Sequence, residues 1–597
     1  MCLSLWVQQN YGLKQRVMAT KKIPYGMSDF QTISTKNYYY VDKTRFIEKV
    51  EQCPPYLFLI RPRRFGKSLW LAMLASYYDV AEKERFEELF GKYYIGQHPT
   101  GEQNSYLILK FNFAMVNPEP EELAQSFEAH AANCYLDFNM KYAHLLGEGY
   151  LDGYAQQQNA ESRLEYISNW CKRQGLPIYL IIDEYDNFTN VVLSRHGHDR
   201  YRALTHGAGS YRFFFNKIKG VATADSAVKR MFITGVSPVT LDDVTSGFNI
   251  ASMITMDARF NEILGFTEEE VREMLEYYKA EGCWTGETEE VLGMMREWYD
   301  NYCFSEECCG VRMYNSDMVL YFLNHLTGTG KMPRTLVDLN MKTDYGKLRH
   351  LIILDKRLNG NFSRIRQIAE EGEVAVSIEP SFPAEELVKP DNFTSLLFYF
   401  GILTIDRVER GKTVLKVPNL TIRQILFSYI ERGYREAGVF DVKGVKLERL
   451  MSDMAYAGEW RPVFEYFAEE IREQTSIRDY IEGEKAIQTF HLVYMNLTNY
   501  FVIYPERELN KGYADLWMSP NFLNHPEMEY SYVVEFKYLK HGATDEEVEV
   551  KLAEAREQLQ RYAGDKKIEA ARGRTKVRYI AVVYRSWELA GLAVFDD

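Results

Sequence analysis

No stretch of this 597-residue chain approaches the ~18–20 consecutive apolar residues that a membrane-spanning helix requires. Apolar runs such as residues 179–182 have the length of buried strands, so no membrane partner is expected. Paired cysteine spacing is also lacking. Eight cysteines are scattered, and Cys303, Cys308 and Cys309 lie near one another with no Cys or His partner to complete a zinc pattern. They are read as reduced thiols, which implies a cytoplasmic location. Internal repeats and low-complexity linkers are missing, which excludes a repeat array. Positive charge is in deficit, 71 Lys and Arg against 84 Asp and Glu, a net charge of −13. That argues against a protein coating nucleic acid through bulk positive charge. It leaves room for an enzyme with a local basic groove and metal ions in its site. Residues 3–7 are too short and too poorly flanked for a signal peptide. Met1 and Met18 are both candidate starts, and because the patterned sequence begins just after Met18, residues 1–18 are set apart as an N-terminal extension.

Hydrophobic residues make up 46% and charged residues 26%, a soluble globular balance, and the length suits roughly three to four domains. Residues 56–60, 107–113, 178–182 and 231–236 read as strands, with a helix at about 68–78. A helix-like segment is expected within residues 19–50, after residues 38–41. Strands alternating with helices predict a mostly parallel sheet covered on both faces, an α/β domain over residues 19–262 that the loop described next makes a P-loop NTPase candidate. From Thr267, a threonine N-cap followed by three glutamates, helical patterning dominates residues 263–478, with a short β-like piece at 401–417. Residues 479–597 read helix, three strands, helix, strand, with strands at 501–504, 514–518, 531–538 and 577–584.

The segment Arg61-Pro62-Arg63-Arg64-Phe65-Gly66-Lys67-Ser68-Leu69 lies between a strand and a helix. That setting turns backbone N–H groups and a helix N-terminus toward an anion. Residues Arg64 to Leu69 are the candidate ATP-binding loop. Lys67, expected to face solvent with little packing, supplies a charge for the β- and γ-phosphates, and the Ser68 hydroxyl is a Mg²⁺ ligand. The full pattern asks for glycine at position 61, where this chain has arginine. The apolar strand 178–182 runs into Asp183 and Glu184, at the edge of a parallel sheet where ligands bind. Asp183 is assigned to Mg²⁺ and Glu184 to polarising the attacking water. At the tip of the fourth strand Thr234 is the better candidate for sensing the γ-phosphate and Ser237 the second. Arg195, Arg200, Arg202, Arg230 and Arg259 are candidates for completing the site, Arg259 foremost. His196 and His198 are read as solvated loop residues, and the aromatic stripe 211–215 as core.

These residues, together with Tyr39-Tyr40-Val41-Asp42-Lys43-Thr44, Asp183-Glu184-Tyr185-Asp186, Thr234-Gly235-Val236-Ser237-Pro238, Trp298-Tyr299 and Val417-Pro418-Asn419, resemble the bacterial AAA-ATPase-like proteins that carry a C-terminal nuclease-like domain. An arginine at position 61 is usual in that family, so the resemblance implies ATP binding despite the missing glycine.

In the last segment Asp515 begins a strand and Glu535 follows twenty positions later in Val533-Val534-Glu535-Phe536-Lys537. Glu535 and Lys537 point to one face of a strand whose other residues are apolar. Buried charges need partners, and a metal on Asp515 and Glu535 with Lys537 beside the attacking water would provide them. The competing reading is a surface ion pair. The arrangement resembles the PD-(D/E)XK nuclease superfamily, of restriction-endonuclease-like α/β fold. That resemblance implies catalytic roles for Asp515, Glu535 and Lys537, a further acidic ligand at Glu484, Gln558 and Tyr562 on the next helix, and accessory roles for Glu506 and Glu508. Gly512-Tyr513 stands where relatives often have Gly-Arg. The expected protein is an ATP-binding and ATP-hydrolysing enzyme using Mg²⁺, coupled to a Mg²⁺- or Mn²⁺-dependent nuclease acting on nucleic acid. The alternative is a nucleotide-switched regulator whose nuclease-like domain does not cleave. A homo-oligomer is compatible with either.

Overall fold

A computed structural model describes residues 19–206, 209–239, 250–338, 341, 353–354, 357–358, 360–510 and 512–595, apart from the side chains of 194, 195, 198, 210, 353, 354, 357 and 358. The N-terminal extension 1–18 lies outside the described residues. β1 (Tyr56–Ile60) and β3 (Ile178–Asp183) are buried along their whole length, as strands covered by helices on both faces must be. They join β2 (Leu107–Asn112), β4 (Val228–Gly235) and the short β5 (Ser252–Met253) in one parallel sheet ordered β2-β3-β4-β1-β5. β4 therefore separates the strand before the phosphate loop from the strand ending in Asp183. The register sets Asn112 beside Asp183 and Leu59 beside Thr234, so these tips share one edge.

The expected helix in residues 19–50 is two short helices, Phe30–Thr35 and Phe46–Glu51, on either side of the 38–41 stretch. Residues 187–205 are helical, kinked at Gly197 with φ 81°, so His196 and His198 stand in a helix and not in a loop. In the aromatic stripe Tyr211, Phe214 and Phe215 are core, while Phe213 is half exposed.

Helix Glu268–Ala280 starts with the anticipated capping box, Thr267 and Glu270 each bonding the other's backbone. Helices Thr288–Tyr299, Ser316–Thr329, Gly360–Glu371, Pro390–Tyr399 and Leu420–Glu436 follow. Two short strands, β6 (Ile353–Leu354) and β7 (Arg357–Leu358), form a hairpin. β8 (Glu373–Val376) adds a third strand to the expected β9 (Thr404–Glu409) and β10 (Lys412–Lys416). Four residues with alternating burial give too short a signal to detect β8 by periodicity.

The C-terminal sheet is β11 (Phe501–Leu509), β12 (Gly512–Pro520), β13 (Tyr530–Leu539), β14 (Lys576–Arg585) and β15 (Glu588–Phe595), in that spatial order. Only β13 and β14 are parallel. β15 was not anticipated; it is an edge strand whose residues are only partly buried. Helix Glu484–Met495 packs against β13, and helix Asp545–Tyr562 packs against β12 to β15. Helices Gly444–Ala457 and Arg461–Glu473 also pack on this sheet, against β13 and β15.

Candidate functional site

The phosphate loop turns because Arg64 (φ 69°) and Gly66 (φ 94°) both take the left-handed conformation. Gly66 does so without strain, and helix Lys67–Tyr78 begins directly after it. Lys67 is buried, not solvent-facing, and its Nζ donates to the Arg61 and Pro62 carbonyls at 2.9 and 3.0 Å. Burial lowers its pKa, against the raising fields of Glu184, Asp183 and Asp186. Arg61 does not enter the phosphate site. Its fully buried guanidinium donates to the carbonyls of Thr255 at 2.6 Å and Phe260 at 2.9 Å and lies 4.2 Å from the Phe304 ring centroid. Burial brings its pKa down to about 9. An arginine thus replaces the patterned glycine by anchoring the start of the loop to the segment after β5.

Asp183, at the end of β3, accepts the Ser68 hydroxyl on Oδ2 at 2.6 Å and the Thr234 hydroxyl on Oδ1 at 2.8 Å. Of the two sensor candidates Thr234 is the one on Asp183. Ser237 instead gives its backbone N–H to Asp186 at 2.5 Å, while its carbonyl accepts from the Tyr185 hydroxyl. Glu184 turns off the strand with φ 52°, an uncommon conformation for a residue with a side chain. Its pKa is raised by burial, with Lys67 pulling the other way. Asp186 is a clamp. Fully buried, it accepts from the N–H groups of Val236 and Ser237 and from Asn190, and so ties the turn after β3 to the end of β4. A side chain at Gly235 would place Cβ 2.3 Å from the Tyr185 ring and 2.5 Å from Asp186 Oδ1, so this clamp needs glycine there.

Gly66, Lys67, Ser68 and Glu184 open into a cavity of about 480 Å³. Its far end is apolar, walled by Met27, Tyr40, Val41, Leu264, Phe266 and Leu320, from the N-terminal segment and the helical region. Sequence reasoning missed this wall, although the motif running from Tyr39 to Thr44 marked part of it. Lys43, also in the lining, gives its Nζ to both oxygens of Glu270 at 2.7 Å. The helical region touches the loop too: Ser316 Oγ and Asp317 N donate to the Arg64 carbonyl at 3.1 and 3.2 Å. Arg63 and Arg64 are the arginines that line the cavity. Arg259 is held by Asp257 at 2.6 Å outside that lining, and Arg230 is bound to Glu102 near the opposite end of β4. Arg202 faces Glu385 at 3.3 Å; the side chain of Arg195 lies outside the described residues.

In the C-terminal sheet the β12–β13 register, Leu516 to Val534, sets Asp515 opposite Glu535. Asp515 Oδ2 accepts the Phe536 N–H at 2.6 Å. Lys537 Nζ donates to Glu535 Oε1 at 2.9 Å and to the Phe536 carbonyl at 3.0 Å. Burial, then the charge of Glu535, pushes Asp515 up to about 8. Burial also raises Glu535, against Lys537. Lys537 is raised: burial opposes its charge, and the acidic neighbours Glu535, Glu484 and Asp515 together outweigh that. Two carboxylates placed this close cannot both ionise cheaply without a cation. Tyr562 donates to the Tyr513 carbonyl at 2.8 Å. Gln558 lies one turn earlier on the same helix.

Glu484 approaches the site through Lys537, 3.9 Å from its Nζ. Among the described residues no three His, Cys, Asp or Glu side chains gather as a metal cluster. The expected third carboxylate, Glu484, is therefore not gathered with Asp515 and Glu535 into a three-ligand cluster, although its charge still raises both of their pKa values. Glu506 is exposed and 3.6 Å from Lys485, and Glu508 pairs in register with Tyr513. Glu535 Oε2 is buried without a hydrogen-bond partner among the described residues. That orphaned oxygen beside Asp515 fits a divalent ion held by these two carboxylates. At the other site, the hydroxyl of Ser68 and the carboxylate of Asp183, 2.6 Å apart, are oxygen donors of the kind that fits Mg²⁺.

Both sites define the class: a P-loop type sheet joined through a helical region to a PD-(D/E)XK-type sheet. Residues 24–245 match the family described as Predicted AAA-ATPase, and residues 482–591 match the PD-(D/E)XK nuclease superfamily. The chain therefore carries an AAA-ATPase-like domain and a PD-(D/E)XK nuclease superfamily domain. A protein of Azotobacter chroococcum mcd 1, described as an uncharacterized protein in the vnfD 5′ region, is 27% identical over 437 residues, 68% of this chain and 70% of that one. A chain in the structure of Drosophila ORC bound to DNA covers 72% of this chain and 99% of its own length at 9% identity, with a TM-score of 0.23, too slight a likeness to carry an argument. Among the described residues no helix is long and apolar enough to cross a membrane.

Proposed function

We propose that the protein binds and hydrolyses Mg²⁺-ATP in the N-terminal cavity and that its C-terminal domain is a divalent-metal-dependent nuclease acting on nucleic acid. The observation that carries the first half is the convergence of the Ser68 and Thr234 hydroxyls on the two oxygens of Asp183, one residue from Glu184 and beside Lys67. Lys67 and the loop N–H groups hold the phosphates, and Ser68 and Asp183 hold the Mg²⁺, which neutralises phosphate charge. Glu184 orients and deprotonates the attacking water. Thr234 fixes Asp183 and senses the terminal phosphate.

In the C-terminal domain Asp515 and Glu535 hold the divalent ion, which supplies Lewis acidity and an activated water. Lys537 stabilises charge that develops on the nucleophile and the phosphate. The second reading, a nucleotide-switched regulator that does not cleave, is favoured by the Lys537–Glu535 pair, which satisfies both charges internally. Incubation of the full chain with linear and supercoiled DNA and with RNA, in Mg²⁺ or Mn²⁺ and with or without ATP, separates them. Cleavage lost in both Asp515→Ala and Lys537→Ala, with metal binding lost only in the first, supports the nuclease. No cleavage under any condition, with Lys67→Ala abolishing ATP binding, supports the regulator.

A further inference from the structure

Glu297 belongs to helix Thr288–Tyr299 of the middle region, yet its carboxylate serves the C-terminal sheet. Oε2 accepts the Tyr504 hydroxyl at 2.9 Å, and Oε1 accepts the Arg507 guanidinium at 3.1 Å. These two residues bracket the one position, Glu506 facing Asp515, that the otherwise continuous β11–β12 register leaves unpaired. Pro505 pairs with Leu516 and Arg507 with Ala514, which sets Glu506 opposite Asp515. Glu506 has φ 45°, a conformation that persists in a non-glycine residue only where its surroundings hold it. Its side chain is exposed and approaches Lys485, the neighbour of Glu484, which in turn approaches Lys537. The strained segment therefore runs along the mouth of the Asp515–Glu535–Lys537 site.

The grip on that segment is itself anchored. Arg296, next to Glu297, makes a two-pronged contact with Glu268 at 2.7 Å on each oxygen. Glu268 opens the helix on which Glu270, in the same first turn, binds Lys43 of the nucleotide cavity wall. A single exposed ion pair would count for little. Glu297 differs in taking two donors from one strand while standing on a helix pinned to another element.

We infer that Glu297 is a positioning residue of the nuclease-like site: from outside the nuclease-like domain it holds the strand segment facing Asp515, and through it the geometry of the carboxylate pair. The inference rests on reading Asp515 and Glu535 as a divalent-ion site. Groups that orient metal ligands typically change metal affinity by about 10–100-fold when removed.

The test is calorimetric titration of the full chain with Mn²⁺, without nucleotide, for wild type, Asp515→Ala, Glu297→Ala, Glu297→Gln and Arg507→Gln. Wild type should bind Mn²⁺ at a site that Asp515→Ala removes. Glu297→Ala should weaken that binding about tenfold or more. Glu297→Gln keeps an oxygen for Arg507 and a polar partner for Tyr504, and should recover most of the affinity. If Glu297→Ala does not fold, Arg507→Gln removes the contact from the strand side and should show the same loss. Affinity within twofold of wild type in the folded Glu297→Ala, or in Arg507→Gln, overturns the inference, even where the melting temperature falls, because a purely structural contact would lower stability alone. No Asp515-dependent Mn²⁺ binding in wild type overturns the metal-site reading beneath it, a result distinct from binding that Glu297→Ala leaves intact.

Discussion

Ser68 and Asp183 are 115 positions apart in the chain and 2.6 Å apart in the fold, hydroxyl to carboxylate. The contact crosses from the helix after β1 to the end of β3, with Thr234 of the intervening β4 on the other carboxylate oxygen. Asp183→Asn keeps the size of the side chain and removes its charge. The Mg²⁺-dependent part of ATP binding should therefore fall about tenfold or more, while ATP binding in EDTA changes little. Calorimetry with and without Mg²⁺ checks this; an equal loss in both would assign Asp183 to the fold alone.

Lys67→Ala should abolish most ATP affinity and also cost some stability. The ammonium is buried on the Arg61 and Pro62 carbonyls, and the carbonyls left without it carry a penalty of about 1–3 kcal/mol. Calorimetry measures the first effect and denaturant unfolding the second.

Glu184→Gln should retain Mg²⁺-ATP and slow hydrolysis by about 10²–10⁴-fold, the usual contribution of a general base. Burial raises the Glu184 pKa, and a base works only when deprotonated. Wild-type turnover should accordingly decline on acidification at a pH above the ordinary glutamate range. Steady-state ATPase rates against pH provide the check, and a wild-type rate in Glu184→Gln would turn attention to Asp186.

Burial and the charge of Glu535 push the Asp515 pKa up to about 8 in the fold, against about 3.9 when unfolded. Between those values the folded state binds more protons, so stability is fully present at low pH and is lost as pH rises through the folded pKa. The slope is at most about 1.4 kcal/mol per pH unit for one proton. Hydrogen exchange of the β12 and β13 amides, corrected for intrinsic rates, should show this loss. Asp515→Asn should flatten it, and Mn²⁺ should reverse it by binding the ionised pair.

Arg61→Gly restores the general phosphate-loop pattern and should nonetheless destabilise the protein, by roughly 2–4 kcal/mol. It removes the donors to Thr255 and Phe260 and the contact with Phe304. Thermal unfolding of the variant is the measurement. A neutral result would mean that the segment after β5 is held without Arg61.

The sequence by itself determined most of the longer elements and where the candidate site residues fall on them. Residues 56–60 and 178–182 are continuous apolar runs, which read as strands buried on both faces; Asp183 and Glu184 follow the second directly, and Lys67 and Ser68 follow the first across a short loop. The capping box at Thr267 and Glu270 is local, and local hydrogen bonding can be read from spacing. Asp515, Glu535 and Lys537 were legible because charges amid Val533, Val534 and Phe536 need a reason to be buried. The tertiary structure decided what depends on distant partners. It buried Lys67 on loop carbonyls, sent Arg61 away from the phosphate site, and chose Thr234 over Ser237 by register with β3. It also set Glu484 against Lys537, and brought Lys43 to Glu270 and Glu297 to Arg507. Apart from the short-range Lys67 contact, these contacts join residues far apart in the chain, Thr234 to Asp183 being 51 positions and Lys43 to Glu270 227, and no periodicity or motif encodes which of many acids and bases meet. Packing of helices and sheets selects them, because a half-buried charge is stable only where its partner arrives.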